Sequence, residues 1–130
     1  MSRDLLNDLA RRSLSVSSPL AEQVRLAAYF DHHVWRGGFA LLIFDRQGDG
    51  LEDVQVMLET VGAPVARSFY LRAIEECVQD LDGYQAFLTD YAAESPTKHA
   101  LFRVSLDFYR SGVEFPDEIL PWLTEANREL

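Results

Sequence analysis

Asp45, Gln47 and Asp49 set side-chain oxygens at alternate places ahead of Gly50, the pattern that opens a calcium-binding loop. Counted from Asp45, the twelfth place, which supplies a bidentate carboxylate in such loops, is Val56, and the eighth, normally apolar, is Glu52. A Gly-rich turn leading into a helix is the expected structure there. His32 and His33 are neighbours, so on a helix they diverge by about a quarter turn and cannot easily share one ion. A third ligand would have to come from Asp31 or the distant His99. Cys77, the only cysteine, lies among Ile74, Val78 and Leu81 and reads as a small core hydrophobe in a reducing compartment, with no internal disulfide available to it. No Gly-x-Ser-x-Gly elbow is present, and paired carboxylates such as Glu75 and Glu76 lack a pocket that would raise one pKa. No catalytic residue, metal or cofactor is assigned, and a non-enzymatic protein is expected.

Charge is distributed unevenly. Of a net −9, the segment from Gln47 to Thr97 carries −8: Asp49, Glu52, Asp53, Glu59, Glu75, Glu76, Asp80, Asp82, Asp90 and Glu94 against Arg67 and Arg72. The flanks are nearly neutral, at +1 and −2. Such segregation speaks to the sign of a partner rather than to a reaction. With a pI near 4.7 and no basic stripe, direct contact with nucleic acid or an anionic membrane is disfavoured. Four-residue spacings (Asp49 with Asp53, Glu76 with Asp80) and seven-residue spacings (Glu52 with Glu59, Glu75 with Asp82) would bring each pair to one side of a helix, like charges costing a few tenths of a kcal/mol per pair. Rows of carboxylates so placed approximate the phosphate spacing of DNA, about 3.4 Å along each strand.

The elements that must position these acids read as helices. Leu5, Leu6 and Leu9 give a short first helix with Arg11 and Arg12 at its C-terminal end, where cations suit the dipole. Ser13 to Ser18 reads as a connector. Ser18-Pro19 supplies a cap and first-turn proline for a helix to about Trp35, which Gly37 and Gly38 stop. Phe39 to Phe44 is six apolar residues long and fits either a buried strand or a buried short helix. Leu51 to Val61 is helical and ended by Gly62. Pro64 opens the next helix, expected to run to about Leu81 with Ala66, Phe69, Ala73, Ile74, Cys77, Val78 and Leu81 as its apolar stripe. Asp82-Gly83 is expected to separate it from Tyr84 to Ala93. Ser95-Pro96 begins a helix to about Arg110, Ser111-Gly112 ends it, and Pro116 with Asp117 and Glu118 starts the last, in which Pro121 marks a kink or the true start. An all-α bundle of six to eight helices forming one domain over residues 1–130 follows. The longest apolar run, six residues, is far short of the roughly 20 a spanning helix needs, and no signal-peptide segment is evident, so a soluble cytoplasmic protein is expected.

Around Trp35-Arg36-Gly37-Gly38-Phe39 the chain resembles a family of small acidic helical domains of bacteria whose best-described member is a DNA mimic. Gly37, Gly38 and Phe39 match the first part of the family pattern, Gly48 to Gly50 a following loop, and Val61-Gly62-Ala63 with Ala66 and Ala73 the segment ahead of a long helix. Leu41 stands where the family has Gln and Asp45 where it has Asn. The resemblance spans roughly residues 20–95. It implies an all-helical fold, helix over Phe39 to Phe44, and a dimeric acidic protein that covers the DNA-binding surface of a transcription factor. Together with the charge pattern it assigns Asp49, Glu52, Asp53, Glu59, Glu75, Glu76, Asp80 and Asp82 to contact with a basic protein, and Gly37, Gly38, Phe39 and Gly62 to structure. An immunity protein capping a basic toxin such as a nuclease needs the same negative face and is the alternative.

Overall fold

The computed structural model describes residues 1–130, which form eight helices and no strand: α1 (Ser2–Ser13), α2 (Pro19–Arg46), α3 (Leu51–Thr60), α4 (Pro64–Gln79), α5 (Leu81–Thr89), α6 (Pro96–Arg110), α7 (Phe115–Glu118) and α8 (Leu120–Glu129). The fold is all-α, and Phe39 to Phe44 is helical. Starts follow the expected cap chemistry. The Ser18 hydroxyl accepts the Ala21 N–H at 3.1 Å and the Ser95 hydroxyl accepts the Lys98 N–H at 3.1 Å, each followed by a proline that has no N–H to satisfy.

α2 is two helices in one. Gly38 adopts φ 69° and ψ −167°, a conformation closed to other residues, while Gly37 stays helical, so a single glycine makes the break. Tyr29 and Asp45 would lie about 24 Å apart on a straight helix. Instead the Tyr29 hydroxyl donates to the Asp45 carboxylate, His33 Nε2 stands 3.4 Å from it, and the Arg46 guanidinium lies 5.3 Å from the centre of the Tyr29 ring. The chain therefore doubles back at Gly38. Breaking the ladder frees the Phe39 N–H, which donates to the Ser105 hydroxyl of α6 at 2.8 Å while that hydroxyl donates to Leu101 O at 2.9 Å. A Cβ on Gly38 would run into the Ser105 side chain.

Around this reversal the core closes. The Phe39 ring centre lies 5.8–6.3 Å from those of Phe30, Tyr70 and Phe108, Phe30 meets Tyr70 at 6.3 Å and Phe115 at 4.8 Å, and Leu6, Leu9, Met57, Leu58, Leu101, Ile119 and Leu123 are buried in the same core. The Tyr70 hydroxyl, buried against α3, donates to Leu51 O at 2.7 Å, which satisfies it. Cys77 is buried, and desolvation pushes its thiol up to about 12, the behaviour of a core residue rather than a nucleophile.

The structure departs from several sequence expectations. α4 ends at Gln79 because Asp80 leaves helical geometry and its carboxylate accepts the Gly83 N–H at 3.0 Å, capping α5. Gly83 is accordingly inside α5 rather than between helices, and α5 stops at Thr89 instead of Ala93. Val78 and Leu81, expected in the apolar stripe, are exposed, and Tyr70 takes the core place. Ser13 belongs to α1, buried with its hydroxyl donating to Ala10 O at 2.7 Å. Pro121 is the second residue of α8 and marks a true start after the one-turn α7.

Candidate functional site

The mid-chain acids divide into three sets. Asp49, Glu52 and Asp53 are exposed on the turn before α3 and in its first helical turn, where carboxylates complement the positive pole of the dipole. Arg46, the nearest cation in sequence, spends its guanidinium on backbone carbonyls, Nε donating to Asp49 O at 3.0 Å, so it braces the turn without neutralising those side chains. Gly48 and Gly50, both at positive φ, let the turn close against Tyr84 and Arg46 respectively. Asp82 is exposed in the first turn of α5.

Glu75 and Glu76 separate across α4. Glu75 faces solvent and accepts a hydrogen bond from Gln79 at 3.1 Å, whereas Glu76 turns toward α6 and shares a surface groove with Arg72, Arg103 and Arg110. The remaining acids have structural partners. Glu59 pairs with Arg67 at 3.1 Å, and Asp80 is the α5 cap. Asp80 thus does not continue a row from Glu76, and the seven-residue match of Glu75 with Asp82 fails, because the helix that would align both pairs ends at Gln79. Asp49 precedes the first residue of α3, so its alignment with Asp53 is a turn feature rather than a helical one. Among the eight acids assigned to a partner, only Glu59 forms an ion pair within the protein.

The candidate metal ligands are elsewhere engaged. Asp45 and Arg46 are helical rather than in a calcium-type loop, Asp31 is bound by Arg3, and His99 contacts Glu94, whose carboxyl that contact lowers. No group of three His, Cys, Asp or Glu side chains is arranged to hold a metal ion.

A second site was not anticipated from sequence. Between the first half of α2, the end of α6 and the segment leading into α7 lies a cleft of about 610 Å³. Phe30, Val34, Phe108 and Phe115 form its floor, and Trp35 and Tyr109 stand at its mouth. Asp31, only 5% exposed, grips Arg3 in a fork: Nε to Oδ2 at 2.8 Å and Nη2 to Oδ1 at 3.1 Å. The hydrogen bond to Asp31, larger than the opposing effect of burial, raises the Arg3 pKa. Arg3 Nη1 lies 3.9 Å from Glu114, and its guanidinium carbon is 4.2 Å from the centre of the Trp35 ring. The sequence did hold a signal: Asp31 falls between Ala27, Phe30 and Val34 on the inward side of α2, and an acid there requires a cationic partner.

No family model, no curated protein and no solved structure matches this chain. No helix is long and apolar enough to cross a membrane.

Proposed function

We propose that this is a non-enzymatic binding protein that docks on a basic protein surface through the carboxylates at the N-terminal ends of α3 and α5. Asp49, Glu52, Asp53 and Asp82 are the contact groups, joined by Glu75 on the exposed side of α4. One observation carries this reading: these exposed acids have no ion-pair partner inside the molecule, and four of them stand at the starts of α3 and α5, the first braced by Arg46 on backbone carbonyls and the second capped by Asp80. Charges left unneutralised on helix ends attract Lys and Arg over a distance, and only the side chains, not the backbone that carries them, must be ordered on contact. Glu59, Glu76 and Asp80, which have partners or cationic neighbours of their own, are placed outside the contact set. Occlusion of a DNA-binding surface is the role this chemistry fits, since each carboxylate would occupy a phosphate position.

The test is affinity capture from source-cell lysate with the wild-type chain and with the triple variant Asp49→Asn, Glu52→Gln, Asp53→Asn. Washes at about 0.1 M and about 1 M salt screen charges beyond about 10 Å and about 3 Å respectively. Basic proteins held at low salt, released at high salt and absent from the variant are expected. Identical capture by both chains, or retention of acidic proteins alone, would refute the reading. A DNA-binding protein among the captured species assigns the mimic role; a basic nuclease assigns the immunity role.

A further inference from the structure

We infer that the cleft between α2, α6 and α7 is a binding site for a small organic cation, an amine or amidine carried on an apolar body. This inference is independent of the docking acids, none of which lines the cleft. Three observations define the ligand. The first is shape. About 610 Å³ is within the roughly 300–1,000 Å³ of ordinary small-molecule sites, and an aromatic and aliphatic floor suits an apolar body.

The second is charge. Four charged groups line the cleft, one cation against three carboxylates: Arg3 against Asp31, Glu114 and Asp117. Arg3 is already consumed, because two of its nitrogens are held by Asp31 and the third approaches Glu114. An anionic ligand would meet a net charge of −2, with Glu114 and Asp117 exposed among the lining residues. A cationic one would meet Glu114 and Asp117, both exposed to an incoming group.

The third is the mouth. Trp35 is 59% exposed and Tyr109 78% exposed, large rings of the cleft lining left in water. A cation drawn toward the exposed carboxylates meets these two π faces, where ring quadrupoles add attraction. Arg3 occupies one face of Trp35 and so shows that the ring accepts a cation.

Titration of the 15N-labelled protein with phenethylamine, benzamidine and phenylacetate, followed at the Trp35 indole N–H, tests the inference; Trp35→Phe identifies that resonance beside Trp122. Saturable shifts with both cations and none with phenylacetate, which has a similar body and the opposite charge, are expected. Glu114→Gln with Asp117→Asn should weaken cation binding about tenfold, two partly solvated charges together contributing on the order of 1.4 kcal/mol. Both substituted groups are exposed, and an unchanged spectrum away from the cleft confirms that the variant is folded. Equal binding of phenylacetate, failure of both cations at millimolar concentration, or indifference to the double substitution overturns the inference. So does saturation by the peptide acetyl-Gly-Arg-Gly-amide where both small cations fail, which would give the cleft to a protein partner.

Discussion

Gly38 and Ser105 act as one device although 67 positions separate them. The glycine supplies a backbone geometry forbidden to side chains, and the serine takes up the N–H that this geometry releases one residue later. Ser105→Ala leaves the buried Phe39 amide without an acceptor and should destabilise by about 1–3 kcal/mol. Gly38→Ala adds positive-φ strain to a clash with Ser105 and should be the worse of the two at about 2–4 kcal/mol. Urea midpoints of both variants check the order. In Gly38→Ala combined with Ser105→Ala the contact with the hydroxyl is removed while that with the Cβ at 2.7 Å stays, so the double variant should lose somewhat less than the sum. Strict additivity would contradict the coupling.

At the scale of elements, α4 has no cap of its own. Ala63 stands at its N-cap position, and the orphan amides of Val65 and Ala66 donate instead to the Glu118 carboxylate of α7, at 2.6 and 3.1 Å. Glu118 joins the C-terminal helices to the start of the helix that carries Tyr70 and Cys77. Glu118→Gln keeps one acceptor but removes the charge, with an expected loss of about 1 kcal/mol; Glu118→Ala removes both and should lose about 2 kcal/mol. Thermal unfolding of the pair reads the difference. Sequence signals served where the determinant was local. Ser18-Pro19 and Ser95-Pro96 mark helix starts because a cap acts within three or four residues, and Pro64 marks one because its fixed φ suits a first helical turn. They failed where a distant group decides: nothing near Val65 announces Glu118, and nothing near Arg3 announces Asp31. The end of α4 was misread for a nearer reason. Val78 and Leu81 look like core residues until Asp80 is recognised as the cap of the following helix.

For the molecule as a whole, burial raises the pKa of several weak acids together. Desolvation is the leading cause at Tyr29, pushed up to about 12 with help from Asp45, and at Tyr70, Tyr84, Tyr91 and Cys77. A tyrosine in the unfolded chain ionises near pH 10, so the folded state holds its proton more tightly. Stability from the tyrosines is complete below about pH 10 and that from Cys77, whose thiol ionises near 9.0 when unfolded, below about pH 9; both are lost as pH rises through the folded values toward 12. Denaturant midpoints should therefore be level between about pH 7 and 8 and decline between about pH 9 and 11.5. Tyr29→Phe should flatten part of that decline, and an unaltered slope would remove Tyr29 from the account. The acidic surface follows a different rule. Exposed carboxylates without partners repel one another, so moderate salt should leave the fold intact while weakening its hold on a basic partner.

The reversal in α2 also has a bearing on how the chain is made. The hydroxyl that receives the Phe39 amide is supplied 66 residues downstream. While a ribosome is still extending the chain through α3, α4 and α5, the bend has its glycine but not its latch. The two arms of α2 are consequently made well before this latch can form, and α6 serves as the closing strut of the bend.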